Sequence, residues 1–202
     1  MLDPRPVVRP GARAFRSGPL RSLGFASAAI ALVWVTAASQ WIVTDTVVPW
    51  DAKNQSYAFF RFLASTMHAG SMPFWNPYHY GGHPSVADPQ SLIFAPVFMV
   101  WAWFDARPSM VAFDLMVHAH LLVGGLALGA MGWRMGWPLP AAVLAAAVFM
   151  LGGPASGRLQ HTGMILSYAL FPPALLLLSL ALQRRSIPVS YTHLTLPTTE
   201  RV

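Results

Sequence analysis

The chain has no cysteine, which excludes disulfides and thiolate metal sites. Charge is almost as scarce. Charged residues make up 10% of the sequence against 55% hydrophobic ones, whereas a soluble domain usually carries about a quarter charged residues. That balance excludes an ordinary soluble domain and reads as membrane-embedded. A P-loop, a Rossmann glycine pattern and a nucleic-acid-binding stripe are also missing. The partner that composition implies is therefore the lipid bilayer, not nucleic acid.

The formal net charge of +6 is explained by where the cations sit. Arg5, Arg9, Arg13, Arg16 and Arg21 cluster ahead of the first apolar stretch, an orientation signal more than a binding patch. Residues 23–43 then run uncharged for about the 20 residues that span a bilayer. This is longer than the apolar core of a signal peptide, and no A-x-A cleavage site follows. The segment reads as a retained helix behind a basic cytoplasmic N-terminus, residues 1–22.

Residues 44–90 mix Asp45, Asp51, Lys53, Arg61 and Asp88 with many aromatics, prolines and glycines, and so lie outside the hydrocarbon. Residues 91–104 are apolar but short and broken by Pro96; a run of roughly 10 to 14 residues is more often interfacial or re-entrant than spanning. Residues 110–133, 139–153 and 164–182 read as further spans, the last despite Pro172 and Pro173.

Charge counting decides the topology. If residues 91–104 crossed, Arg134 and the Arg184/Arg185 pair would both fall outside. If they do not cross, the N-terminal arginines, Arg134 and Arg184/Arg185 all fall on the cytoplasmic side, as positive charge should. The expectation is an all-α, polytopic transmembrane protein of the bacterial inner membrane with four spans and a cytoplasmic N-terminus. Its transmembrane domain covers residues 23–186, with an outer loop at 44–108 that holds an interfacial hairpin and a second outer loop at 154–163.

Within the first outer loop, Tyr57, Phe60, Leu63 and Met67 recur at helical spacing, which predicts an amphipathic juxtamembrane helix lying on the membrane surface. Asp51 precedes it in N-cap position. The following FWNPYHYGGHPSVADPQ, with Gly-Gly and three prolines, predicts turns. Its aromatics Phe74, Trp75, Tyr78 and Tyr80 read either as sugar-stacking rings or as an interfacial belt. From about Ile187 the character changes. SIPVSYTHLTLPTTERV is threonine-rich and aperiodic and resembles a translated sequencing-adapter tail. Residues 187–202 are therefore expected to be non-native, the native chain to continue, and the fragment itself to be inactive.

Between Asp51 and Leu182 the sequence resembles the YfhO family of bacterial membrane proteins. The run WDAKNQSYAFFRFLASTMHAGSMPFWNPYHYGGHPSVADPQSLIFAP is similar to that family's first outer loop, and its WNPY…GGHP…DPQS portion is the most specific part. HLLVGGLALGAMGWRMG and GRLQHTGMILSYALFPPALLLL are similar to the next helices. YfhO proteins are related to GT-C type glycosyltransferases, so the resemblance implies transfer of a sugar from a polyprenyl-phosphate donor at the outer face. It makes Asp51 the first choice for the catalytic base and Asp45 the second. It matches Arg158 and His161 to an R-x-x-H element and His120 to an H-x-x-x-G element.

The chemistry itself asks for a carboxylate within reach of an acceptor hydroxyl, and for cations or donors around the departing phosphate. Arg158 and His161, then Lys53 and Arg61, are the phosphate-binding candidates; headgroup anchoring and snorkelling are the plain alternatives. Asp114, His118 and His120 form a candidate intramembrane polar site, with Asp114 and His118 an i,i+4 pair; a histidine bonded between helices is the competing reading. His79, His83 and Asp88 have helical ligand spacing across a non-helical YGG, and Asp45 and Asp51 form no D-x-D. No metal ligand set and no cofactor are assigned, and a divalent metal is left open. The alternative function is a non-catalytic transporter or assembly factor for cell-envelope glycopolymers. A transporter should show repeated broken helices, whereas a transferase should gather its carboxylate and cations in one cleft.

Overall fold

A computed structural model describes residues 19–183; the basic N-terminus and the tail after Ile187 lie outside them. The described residues are helical with no strand, only an isolated bridge between Asn76 and His83. Seven helices follow in order: α1 Leu20–Val43, α2 Tyr57–His68, α3 Pro96–Phe104, α4 Met110–Arg134, α5 Leu139–Leu151, α6 Gly153–Ser156 and α7 Thr162–Gln183. Among the described residues four stretches are long and apolar enough to cross a membrane: α1, α4, the α5–α6 pair over Leu139–Ser156, and α7. At 1.5 Å per residue, α1, α4 and α7 reach about 33 to 37 Å against a hydrocarbon core of roughly 30 Å. The chain is an all-α, multi-pass membrane protein, with the four spans expected from its sequence.

α3 is not one of them. Its 9 residues reach only about 14 Å, so the segment that charge counting removed from the spans is too short to cross.

α4 is the central helix, packed on α1, α5 and α7. It approaches them closely because it is glycine-rich on the contact faces. A Cβ at Gly124 would lie 2.6 Å from the Ala169 carbonyl oxygen on α7, and one at Gly129 would lie 2.6 Å from Ile30 Cδ1 on α1. Lipid tails are as apolar as leucine, so membrane helices gain little from burying apolar surface and gain instead from close backbone packing. At the end where Arg134 lies, Trp133 Nε1 donates to the Pro19 carbonyl at 3.2 Å and the Arg134 guanidinium donates to Gln183 Oε1.

α2 forms at the expected place, but its apolar face is covered by protein instead of lying on a lipid surface. Phe60, Leu63 and Ala64 are buried, and Phe60 meets Phe98 at 5.1 Å, Trp101 at 4.7 Å and Phe113 at 5.6 Å between ring centroids. On the other side, Phe59 is covered by the turn-rich loop, with His79 edge-on at 5.0 Å and His83 stacked at 5.9 Å. Asn76 and His83 exchange both backbone hydrogen bonds at 2.8 Å. The loop closes this tightly because Gly82 adopts φ +131° and a Cβ there would fall 2.5 Å from Trp75 Cζ2, a conformation and a spacing available only to glycine.

Candidate active-site cleft

The connection between α1 and α4 and the turn between α6 and α7 emerge at the same end of the bundle, where they enclose a cleft of about 530 Å³. That lies within the range of small-molecule sites, roughly 300 to 1,000 Å³. One wall is the entry to α2. Trp50 takes a left-handed conformation, φ 61°, and the chain then turns into a π-helical segment over Ala52–Ser56. The wider i→i+5 turn brings Asp51, Gln55 and Ser56 onto the cleft together.

Asp51 is not the N-cap that its position suggested. Its backbone is already helical, φ −64° and ψ −31°, and its side chain accepts no capping hydrogen bond. A capping residue must be non-helical for its oxygen to reach back to the first free N–H groups. The π turn removes that geometry and leaves the carboxylate facing the cleft.

The second wall is Pro89 and Gln90, held from both sides. Asp88 Oδ1 accepts the Gln90 N–H at 2.8 Å, His83 Nε2 donates to Asp88 Oδ2 at 2.9 Å, and Gln55 Nε2 donates to Gln90 Oε1 at 2.5 Å. Leu92, just beyond, is also left-handed at φ 58°. Non-glycine residues in that region cost of order 1 to 3 kcal/mol each and concentrate at functional sites. Two such residues here bracket the cleft-lining segments.

The third wall is the start of α7. His161, Thr162, Gly163, Met164 and Ser167 line the cleft. His161 Nε2 stands 3.9 Å from Asp51 Oδ2, with the side chains 29% and 59% exposed. Behind it, His161 Nδ1 and the Oγ1 of Thr162 are enclosed without hydrogen-bond partners among the described residues. The first N–H groups of α7 lack intrahelical acceptors and carry the positive end of the helix dipole toward the same space. From the cleft mouth, Met164, Phe171 and Leu178 recur every seven residues on α7, all at least half exposed. The cleft is therefore continuous, through Met164, with an exposed apolar stripe on α7.

The other candidates are placed as follows. Arg158 is exposed on the turn leading into His161 and does not line the cleft. Lys53 is exposed on the π-helical segment, and Asp45 is exposed in the extended stretch after α1. Arg61 lines a different groove, farther along α2.

The intramembrane trio is dispersed. Asp114 Oδ2 accepts the Val48 N–H at 2.7 Å. His118 Nδ1 donates to the backbone carbonyl of Asp114, not to its carboxylate, and its ring packs on Trp41 at 4.2 Å. His120 Nδ1 donates to the Met116 carbonyl and its ring stacks toward Phe98 at 6.4 Å. His118 and His120 each make a bond within α4, Asp114 ties α4 to the chain after α1, and among the described residues the three side chains do not bond one another.

Among the described residues no three His, Asp or Glu side chains gather as metal ligands; His83 and Asp88 pair with each other, while His79 lies against Phe59 and Tyr80. Gln55, Gln90, Thr162 and Ser167 were not singled out from sequence, because uncharged side chains give no signal until distant segments meet. Compared with protein-family models, curated proteins and solved structures, the chain matches none.

Proposed function

We propose that this chain carries part of a YfhO-like, GT-C type glycosyltransferase. It transfers a sugar from a polyprenyl-phosphate donor to an acceptor at the periplasmic face of a bacterial inner membrane, with the N-terminus cytoplasmic. The observation that carries the reading is the placement of Asp51 opposite His161 in a cleft continuous with the exposed apolar stripe of α7. A donor whose prenyl chain stays in the bilayer needs that arrangement, with an aqueous reacting end and an apolar flank beneath it.

In this reading Asp51 accepts the proton of the acceptor hydroxyl as its oxygen bonds to the anomeric carbon. The bond from that carbon to the donor phosphate breaks, and the phosphate leaves with the electron pair. Its charge is met by His161 and by the N-terminal N–H groups of α7, whereas Arg158, on the same turn, lies outside the cleft lining. Asp45, the second choice for the base, is exposed in the stretch after α1 and does not line the cleft. Lys53 and Arg61 stand outside the cleft walls and take no part in this step.

The test is transfer of radiolabelled sugar from a polyprenyl-phosphate donor in vesicles from cells expressing the reading frame that carries this chain. Asp51→Asn is expected to lower transfer by at least a hundredfold with membrane insertion unchanged. Retained transfer in that variant overturns the role of Asp51, and no transfer by the unsubstituted protein with any prenyl-linked donor overturns the activity.

A further inference from the structure

A second concavity, of about 250 Å³, lies between α2 and the turn-rich loop and has no part in the reaction above. Arg61, Phe62 and Ser65 form its α2 side, and Asn76, Tyr78 and His79 form its loop side. Arg61 is six residues beyond Gln55 on the same rod of helix, about 9 Å along the axis and on another face, so the groove is separate from the cleft.

Three features make it a built recognition surface. Asn76 is only 4% exposed, and its Oδ1 accepts the Tyr78 N–H at 3.0 Å. That bond fixes the amide orientation and leaves Nδ2, which bonds nothing else among the described residues, as a donor for a ligand. Tyr78 is 88% exposed although it sits beside a locked backbone, with its ring edge-on to Phe62 at 6.4 Å. That leaves an accessible aromatic face beside the Asn76 donor, of the kind that packs against the apolar face of another ring. Arg61 adds a cation whose planar fork suits a carboxylate or phosphate. No carboxylate lines the groove among the described residues, so Arg61 meets no opposing acid there.

We infer that this groove binds a sugar ring bearing a negative charge, the C–H face of the ring against Tyr78, a hydroxyl on Asn76 Nδ2 and the anionic group on Arg61. A flat aromatic, an amide donor and a guanidinium side by side match a ligand that is at once a ring, a polyol and an anion. A bare anion would leave Tyr78 uncovered, and a neutral sugar would leave Arg61 unused. The inference goes beyond the transferase reading and does not depend on it.

The experiment is calorimetric titration of the chain in phosphatidylcholine nanodiscs with glucose 1-phosphate, glucuronate, glucose and inorganic phosphate. Saturable binding is expected for the first two, at least tenfold tighter than for the last two. Arg61→Gln and Tyr78→Ala, both at exposed positions, should each weaken it at least fivefold, while Arg107→Gln, also exposed, should leave it unchanged. Failure of both charged sugars to bind overturns the inference. So does phosphate binding as tightly as glucose 1-phosphate, or an equal loss in the Arg107 variant, since either reduces the groove to general anion attraction.

Discussion

Asp114 Oδ2 accepts the backbone N–H of Val48 at 2.7 Å across 66 residues of sequence. Asp114 is 1% exposed, and the bond fastens the strand of chain leaving α1 to the first turns of α4. It thereby sets the point from which Trp50 and Asp51 turn into the cleft wall.

Asp114→Ala should therefore destabilise the protein by about 1 to 3 kcal/mol, the cost of leaving a buried donor unsatisfied. Asp114→Asn keeps an acceptor oxygen and should cost less than half as much. Thermal unfolding in detergent, followed by tryptophan fluorescence, reads both. Equal losses in the two variants would show that the Val48 bond is not what Asp114 contributes.

Asp51 should behave in the opposite way. A genuine N-cap loses about 1 kcal/mol on replacement. Asp51 makes no capping bond, and its approach to His161 is long and solvent-exposed, so Asp51→Ala is expected to change stability by less than about 0.5 kcal/mol. A loss of 1 kcal/mol or more in the same unfolding assay would restore the capping role.

The close crossing of α4 and α7 rests on the missing side chain at Gly124. Gly124→Val would drive its Cβ to 2.6 Å from a backbone oxygen that has nowhere to move, and overpacking of this kind costs typically 1 to 3 kcal/mol. Gly24 on α1 is the control, because nothing lies within 4 Å of a Cβ there. Gly24→Ala should hold or raise the melting temperature, as alanine is the better helix former by about 1 kcal/mol. A tolerant Gly124 with a sensitive Gly24 would reverse this account of the packing.

Orientation is open to chemical labelling, because the sequence has no cysteine to interfere. Ser85, in the first loop, is a poor reporter at 1% exposure, whereas Tyr80 is 90% exposed. In Tyr80→Cys, an impermeant maleimide should label intact spheroplasts. Protection until the cells are lysed would place the cleft on the cytoplasmic side and overturn the topology.

The spans were legible because a bilayer imposes a length and a composition on any helix that crosses it, and both are local properties of sequence. The positions of α1, α4 and α7, and the exclusion of residues 91–104, follow from counting apolar residues and arginines. The turn at Tyr80–Gly82 was legible for a similar reason, since Gly-Gly among prolines permits little else. The apolar face of α2 was also readable from its period, but not what would cover it. An amphipathic face asks only for an apolar neighbour, and whether that is lipid or the Phe98 and Phe113 rings depends on segments far away in sequence.

The candidate site divides along the same line. Asp51 and His161 could be named from the sequence through its resemblance to the YfhO family, but their facing one another could not. Position alone made Asp51 a helix cap, and only the π turn after Trp50 freed its carboxylate. Asp114, His118 and His120 could likewise be picked out along α4, but that their neighbours would be Val48, Trp41 and Phe98 could not. The sequence by itself determined how many times this chain can cross a membrane, because that is decided residue by residue against the solvent. Which polar groups meet at the end of the bundle was decided only by the fold, because the hydrogen bonds and close glycine crossings that align those ends join residues the sequence keeps far apart.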